Sequence, residues 1–297
     1  MQTYFIINPL AGNGEKRQII ENQIKNIENA EMYYTVSGLD AYRFVEDKLK
    51  DNNTEYRFIA CGGDGTINEV FSAAVGKKNA SVSAIPCGSG NDFVKNFKID
   101  YFNNIEKFVN CKVKPMDAIK ANNHYAFNCC HFGFDTAVAK TVNEDRKAKG
   151  HGSAWSYPKG VAKALITSMK TKCKVYAGNE LLNDGDYLLL CTIANGQYVG
   201  GSYRCAPRAD LFDGELEVCF VKPVSRLKFV TLMDVYKNGT HLDNPKFDEI
   251  IKYRRVDKAK LVFDESVGYS LDGEIYYDKN VNVECLKGAV NLAMPTK

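Results

Sequence analysis

The chain has 297 residues, 45% of them hydrophobic, and a net charge of +3. That is enough for two medium domains with ordinary cores, and a net charge this small says little by itself. No stretch approaches the roughly 20 apolar residues that span a bilayer, and the amino terminus lacks a basic segment followed by a long apolar core. Neither a membrane span nor a signal peptide is expected. The 10 cysteines form no CxxC pair and fit a cytoplasmic enzyme with reduced thiols. Adjacent Cys129 and Cys130 read as small buried strand residues. The four histidines are dispersed, with no HExxH pair, which argues against a catalytic zinc.

In chain order, residues 3–7 read as a strand and 8–14 as a glycine-rich loop. Helix is expected over 15–29, where Ile19, Ile20, Ile24 and Ile27 recur at helical spacing. A strand over 31–36, a helix over 40–50 and a strand over 56–61 follow. After a second glycine-rich loop come a helix over 68–75 and a strand over 81–86, which opens into a third such loop at 87–92. This alternation to about residue 110 predicts a doubly wound α/β domain, with a parallel sheet covered on both faces. Ligands of such folds lie beyond the carboxyl ends of the strands, where the three loops fall.

After Pro115 the spacing changes. Short strands are expected over 117–120, 124–130, 173–177, 187–194, 215–221, 258–264, 269–271, 281–286 and 289–294, with turns such as Asn183-Asp184-Gly185 between them. Helices are expected over 135–143, 158–169 and 226–237. The chain therefore divides into an α/β domain over 1–115 and an antiparallel β-sandwich with a few helices over 116–297.

The chemistry centres on Cys61-Gly62-Gly63-Asp64-Gly65-Thr66-Ile67-Asn68-Glu69. Glycines between a strand end and a helix start let a ligand approach the main chain. Free amides at the helix start favour an anion. Asp64 is out of place beside a phosphate unless a divalent cation bridges them, so the loop points to a magnesium nucleotide. A tight turn with a capping aspartate is the plainer alternative. The run resembles the signature of the diacylglycerol-kinase-like lipid kinases; NAD kinases and phosphofructokinases carry related loops.

The resemblance extends along the chain, roughly over residues 7–286. Asn8-Pro9-Leu10-Ala11-Gly12 matches the family's first motif, which lies against the nucleotide. It is not a Walker A loop, since no Gly-Lys-Ser or Gly-Lys-Thr follows. Gly88-Ser89-Gly90-Asn91-Asp92 is similar to the Gly-Thr-x-Asn-Asp motif, and Thr35 has the spacing of a family threonine near the nucleotide. By resemblance, then, Asn8, Pro9, Gly12, Thr35, Gly62, Gly63, Asp64, Gly65, Thr66, Asn68, Glu69, Ser89, Asn91 and Asp92 surround ATP.

Pro207-Arg208-Ala209-Asp210-Leu211-Phe212-Asp213-Gly214 matches a family turn that holds a structural magnesium. The Asp213 carboxylate and the main-chain oxygens of Asp210 and Glu215 are the implied ligands, and hard oxygen donors suit that ion. Phe212 stands where the family often has a second aspartate, and a type I hairpin turn is the plainer reading. Leu271-Asp272-Gly273-Glu274 resembles the Asp-Gly-Glu whose glutamate takes the substrate hydroxyl's proton.

The resemblance implies an ATP- and Mg2+-dependent kinase acting in the cleft between two domains, with Asp64 and Glu274 as catalytic residues. Its acceptor would be diacylglycerol, giving phosphatidic acid, or another lipid alcohol such as a sphingoid base or polyprenol. An NAD kinase and a non-catalytic nucleotide or lipid sensor are the rivals. Residues 140–174 carry nine basic and two acidic side chains, an excess of +7 that leaves the remainder at about −4. With Trp155, Tyr157, Val161, Leu165, Ile166 and Met169 nearby, this stretch is either a core-packed helix with solvated lysines or a peripheral contact with anionic membrane at the inner face. A nucleic-acid patch is disfavoured, because no recognition fold or interleaved aromatics accompany it. The oligomeric state is open, with a homodimer among the options.

Overall fold

A computed structural model describes residues 1–12, 14–149, 155–183 and 186–295. They form two units, one of residues 1–117 with 287–297 and one of residues 118–286. In the first unit, strands β1 (Gln2–Ile7), β2 (Ala30–Tyr34), β3 (Tyr56–Gly62) and β4 (Ala80–Pro86) alternate with helices α1 (Glu15–Ile24), α2 (Asp40–Lys48) and α3 (Asp64–Ala74). The strands are parallel in the order β2-β1-β3-β4. Every residue of β3 and β4 is buried, which is why these segments read as continuous apolar runs rather than alternating ones. A short α4 (Glu106–Asn110) follows. Buried Arg57 holds its end by donating from Nη1 to the carbonyls of Phe108, at 3.2 Å, and Val109.

Two local expectations change here. Helix α3 begins at Asp64, not at residue 68, so Asp64, Gly65 and Thr66 form its first turn. Gly63 is the extended residue before it (φ −93°, ψ −173°), and an acidic first residue suits the positive end of the helix dipole. The domain boundary also differs at the carboxyl end. Residues 287–297 fold with the first unit, where Leu292 pairs parallel with Val82 and Ser83 Oγ lies 3.5 Å from Met294 Sδ.

The second unit is antiparallel. Strand β5 (Val113–Ala121) leads into it through a two-residue turn to β6 (His124–Ala126). Next come β7 (Cys129–Gly133), helices α5 (Phe134–Lys149) and α6 (Ser156–Thr167), and strands β8 (Thr171–Lys172), β9 (Lys174–Ala177), β10 (Glu180–Leu181), β11 (Tyr187–Leu188), β12 (Leu190–Ala194) and β13 (Leu216–Val221). Helix α7 (Arg226–Lys237), then β14 (Ile251–Val256), β15 (Lys258–Leu271) and β16 (Glu274–Ala293) complete it. Pairing runs β14-β13-β12-β7-β15-β16, with β9 also on β15.

Period-2 alternation divides the core. Leu216, Val218 and Phe220 of β13 join Phe132, Val175, Leu261 and Val283 on one face of the sheet. Cys219 and Val221 turn to the other face and meet Phe134, Val138, Ala164 and Phe229 of the three helices. The strands expected over 258–264 and 269–271 are one strand, irregular between Val262 and Val267. Strand β14 was not expected, because Ile-Lys-Tyr-Arg-Arg-Val has no clear alternation and its side chains are half-buried or exposed. Asn13, Asp184 and Gly185 lie outside the described residues, as does the middle of the basic stretch, 150–154.

Candidate active site

The three glycine-rich loops of the first unit meet at the carboxyl ends of β1, β3 and β4. Asn8 follows β1; its amide donates to the Cys61 carbonyl at 3.0 Å and its Nδ2 to Thr66 Oγ1 at 3.3 Å. Gly12 has φ +70°, and a Cβ there would stand 2.4 Å from the Cys87 carbonyl oxygen. A Cβ on Gly88 would meet Gly63 Cα at 2.5 Å, and one on Gly90 would lie 2.9 Å from Asp64 Oδ2. At Gly12 and Gly88, where the close atoms are backbone, only glycine permits the approach. The Cys87 and Gly88 amides both donate to the Gly62 carbonyl, at 2.8 and 3.2 Å. Thr35, just past β2, donates its amide to the Ile7 carbonyl at 2.9 Å. Asn8, Gly12, Gly62, Gly63, Asp64, Thr66, Gly88 and Gly90 are thus neighbours in space.

Several of them also have local work. Asp64 Oδ1 accepts the Phe93 amide at 3.2 Å, while Oδ2 faces Gly90, so one carboxylate holds the third loop against α3. A hard carboxylate beside glycine backbone suits a magnesium-bound phosphate. Asn91 (φ +55°) closes its own loop by accepting from the Gly88 amide and donating to its carbonyl. Asp92 pairs with Lys95 at 2.8 Å, and Lys95 also donates to the Gly90 carbonyl at 2.7 Å. Ser89 is exposed. Asn68 accepts from Ser72 Oγ at 3.3 Å. Glu69 turns to the start of α2 and accepts the Leu39 amide at 2.9 Å. Burial raises its carboxyl pKa, and the amides of Leu39, Ala41 and Tyr42 pull it back. Two basic neighbours escaped the sequence reading. Arg17 donates to the Pro9 carbonyl at 3.2 Å. Burial pushes the Cys87 thiol up to about 11, against the pull of Lys16.

In the second unit, Leu271 pairs with Glu274 across β15 and β16. Asp272 (φ +47°) and Gly273 (φ +96°) form the two-residue turn between them, the positive-φ geometry of a type I′ hairpin. Asp272 Oδ2 accepts the Phe127 amide at 2.7 Å, and Oδ1 accepts those of Asn128 and Cys129 at 3.1 and 2.9 Å. One carboxylate therefore holds the turn to the segment before β7. Asn143 Nδ2 donates to the Gly273 carbonyl at 2.8 Å. Glu274 is exposed, and among the described residues no hydrogen bond engages its carboxylate.

The turn expected to hold magnesium is different. Asp210 Oδ1 accepts the Phe212 amide at 3.0 Å, and Asp213 Oδ1 accepts that of Glu215 at 3.0 Å. Arg255 of β14 lies across the remaining oxygens: it pairs with Asp213 Oδ2, with Glu215 at 2.9 Å and with Glu217 at 3.2 Å. The guanidinium already occupies the carboxylate oxygens at this turn, so residues 210–215 do not fit a divalent ion while Arg255 stays in place. Arg255 lies forty-odd residues from Asp213 on the unexpected strand, and nothing in the local sequence announces it.

A pocket between the helices and the sheet is lined by Phe134, Tyr157, Val161, Leu189, Phe229 and Met233 among others, with Asp135, Tyr236 and His241 as its polar groups. Its free volume of about 40 Å³ has room for a few waters. Tyr236 donates to Asp135 Oδ2 at 3.3 Å, and burial raises its phenol pKa well above the usual value. The basic stretch has a core-packed face and an exposed one. Tyr157, Val161, Leu165 and Met169 pack on the core, whereas Trp155 and Ile166 are 78% and 74% exposed, with Leu227 of α7 at 84%. Lys159 and Lys163 pair with Asp145 and Glu144. Among the described residues no helix is long and apolar enough to cross a membrane.

Residues 2–121 match the family model described as the diacylglycerol kinase catalytic domain. Residues 128–294, more than half of the chain, match the YegS C-terminal NAD kinase beta sandwich-like domain. A protein of Alcanivorax borkumensis named "Probable lipid kinase YegS-like" is 27% identical over 264 residues, 88% of this chain and 85% of that protein. One of Bacillus subtilis named "Diacylglycerol kinase" is 28% identical over 221 residues, 73% and 70% of the two chains. A crystal structure of a diacylglycerol kinase from Bacillus anthracis superposes with a TM-score of 0.72 at 19% identity, covering 98% of this chain and 96% of that one. The last is a likeness of fold.

Proposed function

Because the chain belongs to the diacylglycerol-kinase-like family of lipid kinases, we propose that it transfers the γ-phosphate of ATP to a lipid hydroxyl, with diacylglycerol the first acceptor to test and phosphatidic acid its product. The observation that carries this reading is the meeting of three glycine-rich loops, with backbone amides and one carboxylate, at the ends of three parallel strands. Such a cradle receives phosphates through main-chain donors. Magnesium, held through Asp64, would neutralise charge on the transferring phosphate. Glu274 would accept the proton of the attacking hydroxyl; its carboxylate is exposed and uncommitted, on a turn that Asp272 fixes by three hydrogen bonds. The second unit supports a lipid acceptor by having an apolar pocket with a polar end. That pocket must widen by movement of its helices before an acyl chain can enter. The exposed Trp155, Ile166 and Leu227, with lysines beside them, suit an anionic membrane surface.

The test is labelled ATP offered with diacylglycerol, a sphingoid base and a polyprenol in mixed micelles, with NAD in a parallel arm. Labelled lipid is expected, and only background from NAD. Labelled NAD phosphate without labelled lipid would make the chain an NAD kinase. ATP binding without turnover on any acceptor would make it a sensor.

A further inference from the structure

Away from the loops and from Glu274, the second unit holds a cluster that the phosphotransfer reading does not use. Cys129 and His131 are two apart on β7 and so point to the same side of the sheet; Cys130 and Phe132, between and after them, belong to the core on the opposite side. The segment after the Val199–Tyr203 bridge brings Cys205 to the same place. The two sulfurs are 3.8 Å apart. One donor atom from each of Cys129, His131 and Cys205 lies within 4.8 Å of the others, and all three residues are at least 97% buried.

We propose that Cys129, His131 and Cys205 form a buried site for a soft divalent cation, zinc foremost. Two thiolates on one tetrahedral zinc, each about 2.3 Å from it, stand about 3.8 Å apart, which is the spacing of these sulfurs. The imidazole supplies the second and independent observation. Its Nδ1 faces Thr192 Oγ1 at 3.2 Å and Asp135 Oδ2 at 3.5 Å, acceptors that suit an Nδ1–H tautomer with its lone pair on Nε2. Nε2 is buried without a hydrogen-bond partner, and an unsatisfied buried acceptor costs about 1–3 kcal/mol. A cation that takes this lone pair removes that cost. A carboxylate behind a metal-bound histidine is also the usual support for such a ligand, and Asp135 holds that position.

The charge balance agrees with burial. On binding, each thiol loses its proton, so two protons leave as one Zn2+ enters. Two thiolates, one neutral imidazole and the ion sum to zero, and no net charge is buried. As the thiols stand, their S–H groups lie against carbonyls: Cys129 Sγ is 3.5 Å from the Gly196 oxygen and Cys205 Sγ is 3.6 Å from that of Gln197. Those weak hydrogen bonds are what the metal must replace. The site joins β7 to the segment carrying Cys205, so its effect would be on stability. It stands whether or not the chain phosphorylates lipids; Cys129 is the small buried strand residue that its sequence context suggests, and the proposal adds a ligand role to it.

The test begins with the full-length wild-type chain expressed in zinc-supplemented medium, desalted, and analysed for metal by mass spectrometry. A second portion is refolded with Co2+ and scanned for the intense near-ultraviolet band of cobalt–thiolate bonds. One zinc per chain is expected, together with the cobalt band and a melting temperature that a strong chelator lowers. Cys129→Ser and Cys205→Ser should lose both metal and band, and their melts should be indifferent to chelator. Cys285→Ser, at a cysteine outside the cluster, should keep all three properties. Because the wild-type chain alone decides the matter, a variant that fails to fold does not. A folded wild-type chain with only trace zinc and no cobalt band overturns the proposal, as does recovery of Cys129 and Cys205 joined in a disulfide.

Discussion

Asp272 and Glu274 are two residues apart in one turn, yet the structure assigns them different work, and Asp272→Ala separates the two. The substitution removes the acceptor of three backbone amides, those of Phe127, Asn128 and Cys129. A hydrogen bond to a charged acceptor contributes about 1.5–3 kcal/mol. The three share one half-buried carboxylate, and water can replace part of what is lost, so the sum is well short of additive. Alanine also lacks aspartate's tolerance for φ near +47°, which adds about 1 kcal/mol. The expected loss is about 4 kcal/mol. At about 2–4 °C per kcal/mol for a domain of this size, the transition of the second unit should fall by about 8–16 °C. Asp272→Asn tolerates the same backbone and keeps one acceptor oxygen, and should lose about half as much. Calorimetry reads the transition, and hydrogen exchange of the amides at 127–129 reads the cause, because those amides should lose protection first. Glu274→Gln is the control: with an exposed carboxylate that makes no hydrogen bond to another described residue, it should melt with the wild type while kcat falls by about 10²–10⁴. An Asp272→Ala chain that melts within about 1 °C of wild type, with its 127–129 amides still protected, would refute the reasoning.

Asp64→Ala should weaken magnesium-ATP binding more than adenosine binding, in calorimetric titrations. Because Asp64 also holds the Phe93 amide, it should cost about 1–2 kcal/mol of stability as well; unchanged magnesium-ATP affinity with normal turnover would remove it from the mechanism. With Arg255 across Asp213, Glu215 and Glu217, the wild-type melt of the second unit should respond little to magnesium. Arg255→Met should lower the melting temperature in magnesium-free buffer without chelator, and added magnesium should restore it, whereas a wild-type melt already raised by magnesium would show that Arg255 gives way. Two buried groups tilt stability with pH in opposite directions. Burial lowers the His241 pKa from 6.5 to about 4, so the unfolded chain binds the extra proton between those values and stability falls as pH drops through them. Burial raises Glu217 from 4.5 to about 7, against the pull of Arg255; here the folded chain binds the proton, and stability is lost as pH rises through that window. Urea melts at about pH 5 and pH 7 should therefore show a steeper rise of stability with pH in Glu217→Gln and a shallower one in His241→Gln; parallel curves for all three chains would contradict both assignments.

What the sequence determined by itself is what depends on near neighbours. Helical spacing and continuous apolar runs announce the alternating half. Gly62, Gly63, Gly88 and Gly90 announce loops at strand ends, and Asp272-Gly273 announces a two-residue turn. Each of these reports a backbone requirement met within a few residues. Helix α3 starts earlier than its glycines suggest, because Gly63 alone suffices as the residue before the helix and Asp64 suits its first turn. Tertiary structure decided whatever depends on distant partners. It placed Glu69 at the start of α2, laid Arg255 across Asp213, returned residues 287–297 to the first unit, and gathered Cys129, His131 and Cys205 around one point. A carboxylate, a guanidinium or a thiol carries its chemistry in the sequence, but its partner is chosen by strand pairing and packing over tens to hundreds of residues, and no local pattern records that choice.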